Sequence, residues 1–145
     1  MERCIGCYSC MLGCARLVHN SLSLIRSGIH VRSLGGLTAG FEARYCLACR
    51  PAFCALACPT GAFVQREGGG VCYRERLCIR CGHCARACPV NVILVDEETG
   101  FPVVCLQCGS CVNFCPHGCL AMVDAPSKEQ PGTAGTAGEP DIKQR

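Results

Sequence analysis

Apolar and polar positions alternate in three short stretches of this chain, and each stretch is followed by a turn and a returning partner. Ile29-His30-Val31-Arg32 alternates like a half-buried strand, Leu34-Gly35-Gly36 turns, and Phe41-Glu42-Ala43-Arg44-Tyr45 returns. Phe63-Val64-Gln65-Arg66 reads as a second strand, Gly68-Gly69-Gly70 as its turn, and residues 71–75 as the way back. Val92-Ile93-Leu94-Val95 is a third strand, 96–100 a turn, and 101–104 the return. A short helix or turn suits 15–24. The triple glycine lacks the G-x-x-x-x-G-K-[ST] pattern of a phosphate loop and lies between two strands, so it reads as a hairpin turn.

Between the hairpins lie cysteines. Cys78-Ile-Arg-Cys81-Gly-His-Cys84-Ala-Arg-Ala-Cys88-Pro89 is C-x2-C-x2-C-x3-C-P, the bacterial ferredoxin run for a cubane [4Fe–4S] cluster. Three cysteines at i, i+3 and i+6 on a tight loop can turn their sulfurs onto three irons of one cube. The fourth is carried off by the next turn and ligates a different cube. Proline after it blocks regular backbone pairing and fixes the exit direction. Cys105, Cys108, Cys111, Cys115 and Pro116 repeat the run. Cys4, Cys7, Cys10 and Cys14 repeat it without the proline, and Cys46, Cys49, Cys54, Cys58 and Pro59 repeat it with two residues inserted in the second gap. Four runs supply sixteen candidate ligands, enough for four cubanes, and the internal repeat decides the fold class. That class is α+β: tandem ferredoxin-like βαβ modules with short hairpins, dominated by four clusters.

Composition agrees. Eighteen cysteines and no Trp in 145 residues leave a thin conventional core, so ligation must supply much of the folding energy. The formal charge of +3 omits the cofactors. An oxidised cubane with four thiolates carries about −2, so four of them bring the loaded protein to about −5. Residues 1–50 hold six arginines against Glu2 and Glu42, and every basic residue before Lys128 is Arg. This reads equally as compensation for cluster charge, which suits Arg, or as a compositional bias. No basic-aromatic cluster accompanies the arginines, which argues against nucleic acid.

Two rival uses of cysteine fit less well. A disulfide scaffold expects a secretory leader, for which Cys4 leaves no room, and four cysteines within eleven residues make poor mutual disulfides. Zinc ribbons need two separated pairs and have no use for a third cysteine at i+6. No apolar stretch approaches the ~20 residues of a membrane span, and the expected location is the cytoplasm. Cys72 and Cys119 fall outside the runs. Cys72, on a hairpin strand, reads as a small buried hydrophobe, and Cys119 as a neighbour of Cys115 rather than its substitute. His83 and His117 suit hydrogen bonds to the ligands or solvent, and Tyr8 shields a cluster or packs. The radical-SAM spacing, a dinucleotide-binding glycine motif and a nucleophile–base pair are all missing from the sequence.

Sequence gaps leave the pairing of runs open: nested (first with fourth, second with third) or sequential. The second run, C-x2-C-x4-C-x3-C-P-T-G-A at residues 46–62, resembles the second run of four-cluster electron-transfer subunits of molybdenum and tungsten oxidoreductases. The resemblance spans 1 to about 122 and implies nested wiring. Cys4, Cys7 and Cys10 then share a cube with Cys115, and Cys105, Cys108 and Cys111 with Cys14. Cys46, Cys49 and Cys54 go with Cys88, and Cys78, Cys81 and Cys84 with Cys58. The compact, regular fourth run, Arg3-Cys4-Ile5-Gly6-Cys7-Tyr8-Ser9-Cys10 and Cys115-Pro116-His117-Gly118-Cys119-Leu120 look like the small subunits accompanying tungsten-pterin aldehyde oxidoreductases.

The expected organisation is a four-cluster domain over 1–122 in two pseudo-symmetric halves, and a Gly/Pro/Ala-rich tail over 123–145. Alone, that tail's composition predicts disorder; the expectation is that it lies along a partner. The expected role is non-catalytic relay of single electrons to or from a large metal-pterin subunit carrying tungsten or molybdenum, with a flavin or NAD-linked subunit as a further partner and self-stacking into a longer wire as an option. A formate dehydrogenase or hydrogenase subunit, a free polyferredoxin, and a redox sensor or cluster-maturation protein are the alternatives.

Overall fold

The computed structural model describes residues 2–36 and 40–123. The tail expectation falls almost wholly outside them.

Each cysteine run builds the same small unit. A loop carries the first two cysteines, and a helix begins one residue before the third. The helices are α1 (Ser9–Val18), α2 (Phe53–Leu56), α3 (His83–Arg86) and α4 (Ser110–Asn113), and Cys10, Cys54, Cys84 and Cys111 occupy the second position of each. After α2, α3 and α4 the fourth cysteine starts a tight turn through Pro. Gly61, Asn91 and Gly118 close these turns in the left-handed conformation, their N–H groups donating to the carbonyls of Cys58, Cys88 and Cys115. The first run has no proline, and there α1 continues past Cys14 for a further turn. It starts earlier than the alternation suggests, at Ser9 rather than near residue 15, because the cysteines themselves form its buried stripe. Cys10, Met11, Gly13, Cys14 and Ala15 face inward.

Between the units lie three antiparallel hairpins: β1 (Ile29–Ser33) with β2 (Phe41–Tyr45), β3 (Phe63–Gln65) with β4 (Val71–Tyr73), and β5 (Leu94–Val95) with β6 (Pro102–Val103). All sheets among the described residues are two-stranded and antiparallel, so the protein is a mixed α/β assembly of hairpins, three one-turn helices and the longer α1. The βαβ expectation is corrected in that respect, since a parallel pair needs a crossover of a dozen or more residues and the loops here are occupied by cysteine runs. Strands β3 to β6 are shorter than the alternation suggests, whereas β1 runs one residue longer and β2 matches.

Register shows which residues face in. On β4, Val71 is buried and Cys72, opposite Val64, is exposed. The expectation of a buried Cys72 is therefore wrong: strand alternation, not thiol hydrophobicity, decides its side.

The helices pack in nested fashion, α1 against α4 and α2 against α3. Two cores result. The inner one gathers Ala52, Phe63, Val71, Cys84, Cys88, Val92, Ile93 and Val104. The outer one gathers Cys10, Met11, Cys14, Ile29 and Val31, with Cys4, Cys111 and Leu120 against it. The halves meet closely. A Cβ on Gly28 would stand 2.7 Å from the Cys105 Cα within the outer half, so only glycine fits there, while Gly70, in the left-handed conformation, lies against the Gln107 side chain of the other half. Arg26 ties them further, ion-paired to Asp96 at 3.0 Å and to Glu98 across the β5–β6 turn.

Candidate metal centres

The ligand loops share a backbone device. The residue before the second cysteine has positive φ in all four runs: Gly6 at 69°, Ala48 at 53°, Arg80 at 59° and Gln107 at 55°. The residue after the second cysteine does the same in three runs, at Tyr8, Gly82 and Gly109. Alternation of right- and left-handed residues turns successive N–H groups into one concavity, a geometry recurrent at phosphate and iron–sulfur sites. Three of the four positions before the second cysteine are not glycine, and each costs about 1 kcal/mol or more in that conformation. The repetition of this strain marks a constraint common to all four loops.

The N–H groups also reach the cysteine sulfurs. Arg80 N–H donates to Cys78 Sγ at 3.4 Å, Gln107 N–H to Cys105 Sγ at 3.4 Å, Gly28 N–H to Cys14 Sγ at 3.3 Å, and Cys119 N–H to Cys115 Sγ at 3.3 Å. The hydroxyls of Thr60 and Ser110 lie 3.7 and 3.2 Å from Cys58 and Cys108 Sγ. Such donors favour thiolate. Burial works against the Cys58 thiol, yet N–H groups of Phe63, Thr60 and Ala62 and the Thr60 hydroxyl hold its pKa below the usual value. Cys115 is likewise lowered, first by Cys119 N–H.

Four groups of cysteines result. In the inner half, Cys58, Cys78, Cys81 and Cys84 line one small cleft together with Phe63 and Ile79. Cys46, Cys49, Cys54 and Cys88 line another with Val71, Val92 and Ile93. In the outer half, burial pushes the Cys10 thiol up to about 11, with Cys115 and Cys111 near enough to raise it further. Cys7 also faces Cys115, and Cys4 packs on the same core beside Cys119. Burial pushes Cys105 up to about 12, with Cys46, Cys14 and Cys111 adding to it, and Cys111 in turn faces Cys14 and Cys108. The structure thus brings Cys58 beside Cys78, Cys81 and Cys84, Cys88 beside Cys46, Cys49 and Cys54, Cys115 beside Cys7 and Cys10, and Cys14 beside Cys105 and Cys111.

Cys105 also neighbours Cys46, and Gln107 Nε2–H donates to the Cys46 carbonyl at 3.4 Å. The group that includes Cys105 and the group that includes Cys46 therefore adjoin across the junction of the halves. Among the described residues no three His, Cys, Asp or Glu side chains converge as ligands of a single metal ion. Thiols grouped in fours suit a cube, whose corners carry the ligands.

Two features escaped the sequence reading. The residue after the first cysteine is Ile5, Leu47, Ile79 or Leu106, apolar and exposed in every run. Superposing the four runs would have shown it. The other is Tyr73, whose buried hydroxyl finds no hydrogen-bond partner and faces Cys78.

Comparison with known proteins agrees with this geometry. Residues 77–119 match the 4Fe-4S dicluster domain and residues 1–16 the 4Fe-4S binding domain. The thiosulfate reductase electron transfer subunit PhsB of Salmonella typhi is 34% identical over 68% of this chain and 54% of its own length. A tetrathionate reductase subunit of Archaeoglobus fulgidus is 33% identical over 61% of this chain and 42% of its own, and the arsenate respiratory reductase iron-sulfur subunit ArrB of a Shewanella species is 30% identical over 68% and 44%. The chain spans about half the length of the curated relatives it matches. It is homologous to iron–sulfur electron-transfer subunits, and its cofactors are [4Fe–4S] clusters. No helix among the described residues is long and apolar enough to cross a membrane.

Proposed function

We propose that this chain is a non-catalytic electron-transfer subunit holding four [4Fe–4S] clusters and relaying single electrons to or from a catalytic metal-pterin oxidoreductase subunit. The ligand sets are Cys4, Cys7, Cys10 and Cys115; Cys105, Cys108, Cys111 and Cys14; Cys46, Cys49, Cys54 and Cys88; and Cys78, Cys81, Cys84 and Cys58. One observation supports the assignment most: α1 packs on α4 and α2 on α3, and in the inner half Cys58 lies with Cys78, Cys81 and Cys84 and Cys88 with Cys46, Cys49 and Cys54. Each cluster supplies storage and release of one electron. The chain's own groups supply placement, burial and hydrogen bonds to sulfur.

The finer reading of the partner is a tungsten-pterin aldehyde oxidoreductase, supported by the compact, regular fourth run and the likeness of both ends of the cluster domain to the small subunits of those enzymes. A second reading is a catalytic subunit that reduces a sulfur oxyanion, supported by the relatives named for thiosulfate and tetrathionate reductases. Strictly anoxic purification through a tag on this chain, with mass spectrometry and metal analysis, separates them. About sixteen irons per chain with a stoichiometric tungsten-bearing subunit is the expected result. Molybdenum would transfer the role to the second reading, and the chain alone with its full iron would overturn the bound-subunit reading in favour of a free polyferredoxin.

A further inference from the structure

The row of cysteine groups has two ends, and their surfaces differ. At the end formed by Cys4, Cys7, Cys10 and Cys115, the exposed neighbours are the apolar Ile5 and Phe114 and the opposed charges of Glu2 and Arg3. At the other end, Cys81 is exposed, as is Arg80 directly before it, and Arg74, Arg76 and Arg86 of the same stretch of chain are exposed too. Glu75 is the one acid between residues 74 and 86, and the exposed Glu97 and Glu98 stand on the β5–β6 turn that Arg80 touches, so the four arginines outnumber the acids beside them. All ion pairs among the described residues use Arg26, Arg32 or Arg44, so these four arginines are uncommitted. Arg80 is also held in place, its guanidinium 4.2 Å above the Phe101 ring.

We propose that this basic collar is the docking surface for a small, acidic, one-electron carrier protein. The proposal deepens the relay reading and rests on it. Transient redox encounters bury little surface, so they draw more on charge steering than on apolar burial. Four unpaired guanidinium forks beside an exposed ligand loop provide that steering, and they match carboxylates in geometry. The competing account is that the arginines only offset the charge of the cluster. It predicts altered potentials on charge reversal but no salt-dependent association.

The test uses the cluster-loaded protein under anoxic conditions and an acidic flavodoxin as probe. Association is measured between 0.01 and 1 M salt, where the screening length falls from about 30 Å to about 3 Å. The expected result is at least ~10-fold weaker binding and slower electron transfer at high salt. A comparable loss is expected at low salt in the double variant Arg74→Glu, Arg76→Glu, with midpoint potentials unchanged. Arg16→Glu, remote from the collar, should bind like the parent. Salt-insensitive binding, or a double variant equal to Arg16→Glu, overturns the docking surface. The cationic dye methyl viologen separates the two levels: electron exchange with the dye alongside salt-insensitive flavodoxin binding sinks the collar and leaves the relay intact. Failure to exchange electrons with the dye sinks the relay reading itself.

Discussion

Replacing Tyr73 by Phe removes a single oxygen from the closed end of one cluster site. Tyr73 sits on β4 opposite Phe63, their ring centroids 5.0 Å apart, and Phe63 lines the cleft of Cys58, Cys78, Cys81 and Cys84. The hydroxyl is buried without a partner. Burial first, and then Cys78, push its pKa well above the ordinary tyrosine value, so it remains a donor at any working pH. An unpaired buried hydroxyl costs about 1–3 kcal/mol, and a hydrogen bond to a charged acceptor returns about 1.5–3. Ligated Cys78 Sγ is such an acceptor. Adding an electron makes the sulfur a better acceptor, so the bond strengthens on reduction, and only that increment moves the potential. Taking it as a third of the bond gives ~0.5–1 kcal/mol, or about 20–40 mV for a one-electron couple, in which about 59 mV is tenfold. Tyr73→Phe should therefore lower one midpoint by about that amount, leaving the other three and the iron content unchanged. An anoxic redox titration followed by electron paramagnetic resonance reads all four. Double resonance on the unsubstituted protein should also show one exchangeable proton coupled to the same cluster. Four unmoved midpoints, or no such proton, would refute the reasoning.

Other consequences are simpler to read. Cys72→Ser should retain full iron, because Cys72 faces outward on β4, whereas Cys88→Ser should lose about four irons per chain and loosen the inner core. Cys119→Ser should keep the cluster bound by Cys115, since the backbone N–H reaches Cys115 Sγ, while Cys115→Ser should lose it; iron analysis decides both. The Thr99 hydroxyl and Arg26 hold Asp96 below the usual carboxylate range. Its charge should therefore contribute stability in full above the unfolded carboxylate value and lose it only as pH falls through the lower native one. Asp96→Asn should abolish that dependence and speed amide exchange near Arg26 and the β5–β6 turn. Complete iron removal should erase the native circular dichroism, since two small cores with cysteines in both cannot offset chain entropy alone.

How much of this was legible in the sequence depended on which constraint acted locally. The cysteine spacings were legible because a cube fixes the distance between sulfurs whatever lies between them. The three hairpins were legible because alternation and turn residues act over a few positions. Helix α1 was misplaced for a related reason. Read as ligands, Cys10 and Cys14 belong to a loop; read as a pair at i, i+4, they are one helical face, and the fold uses them as both. Cys72 was misread in the opposite direction, by trusting residue type over position. The nested packing had no local signal, because sixteen and nineteen intervening residues allow either wiring, and only resemblance favoured one. The packing shows in contacts far apart in sequence: α1 lies on α4, a Cβ on Gly28 would strike the Cys105 backbone, and Gly70, in the left-handed conformation, lies against Gln107. Both glycines lie outside the cysteine runs. The metal chemistry is therefore written in the runs, and the order of the sites along the row is written in what lies between them.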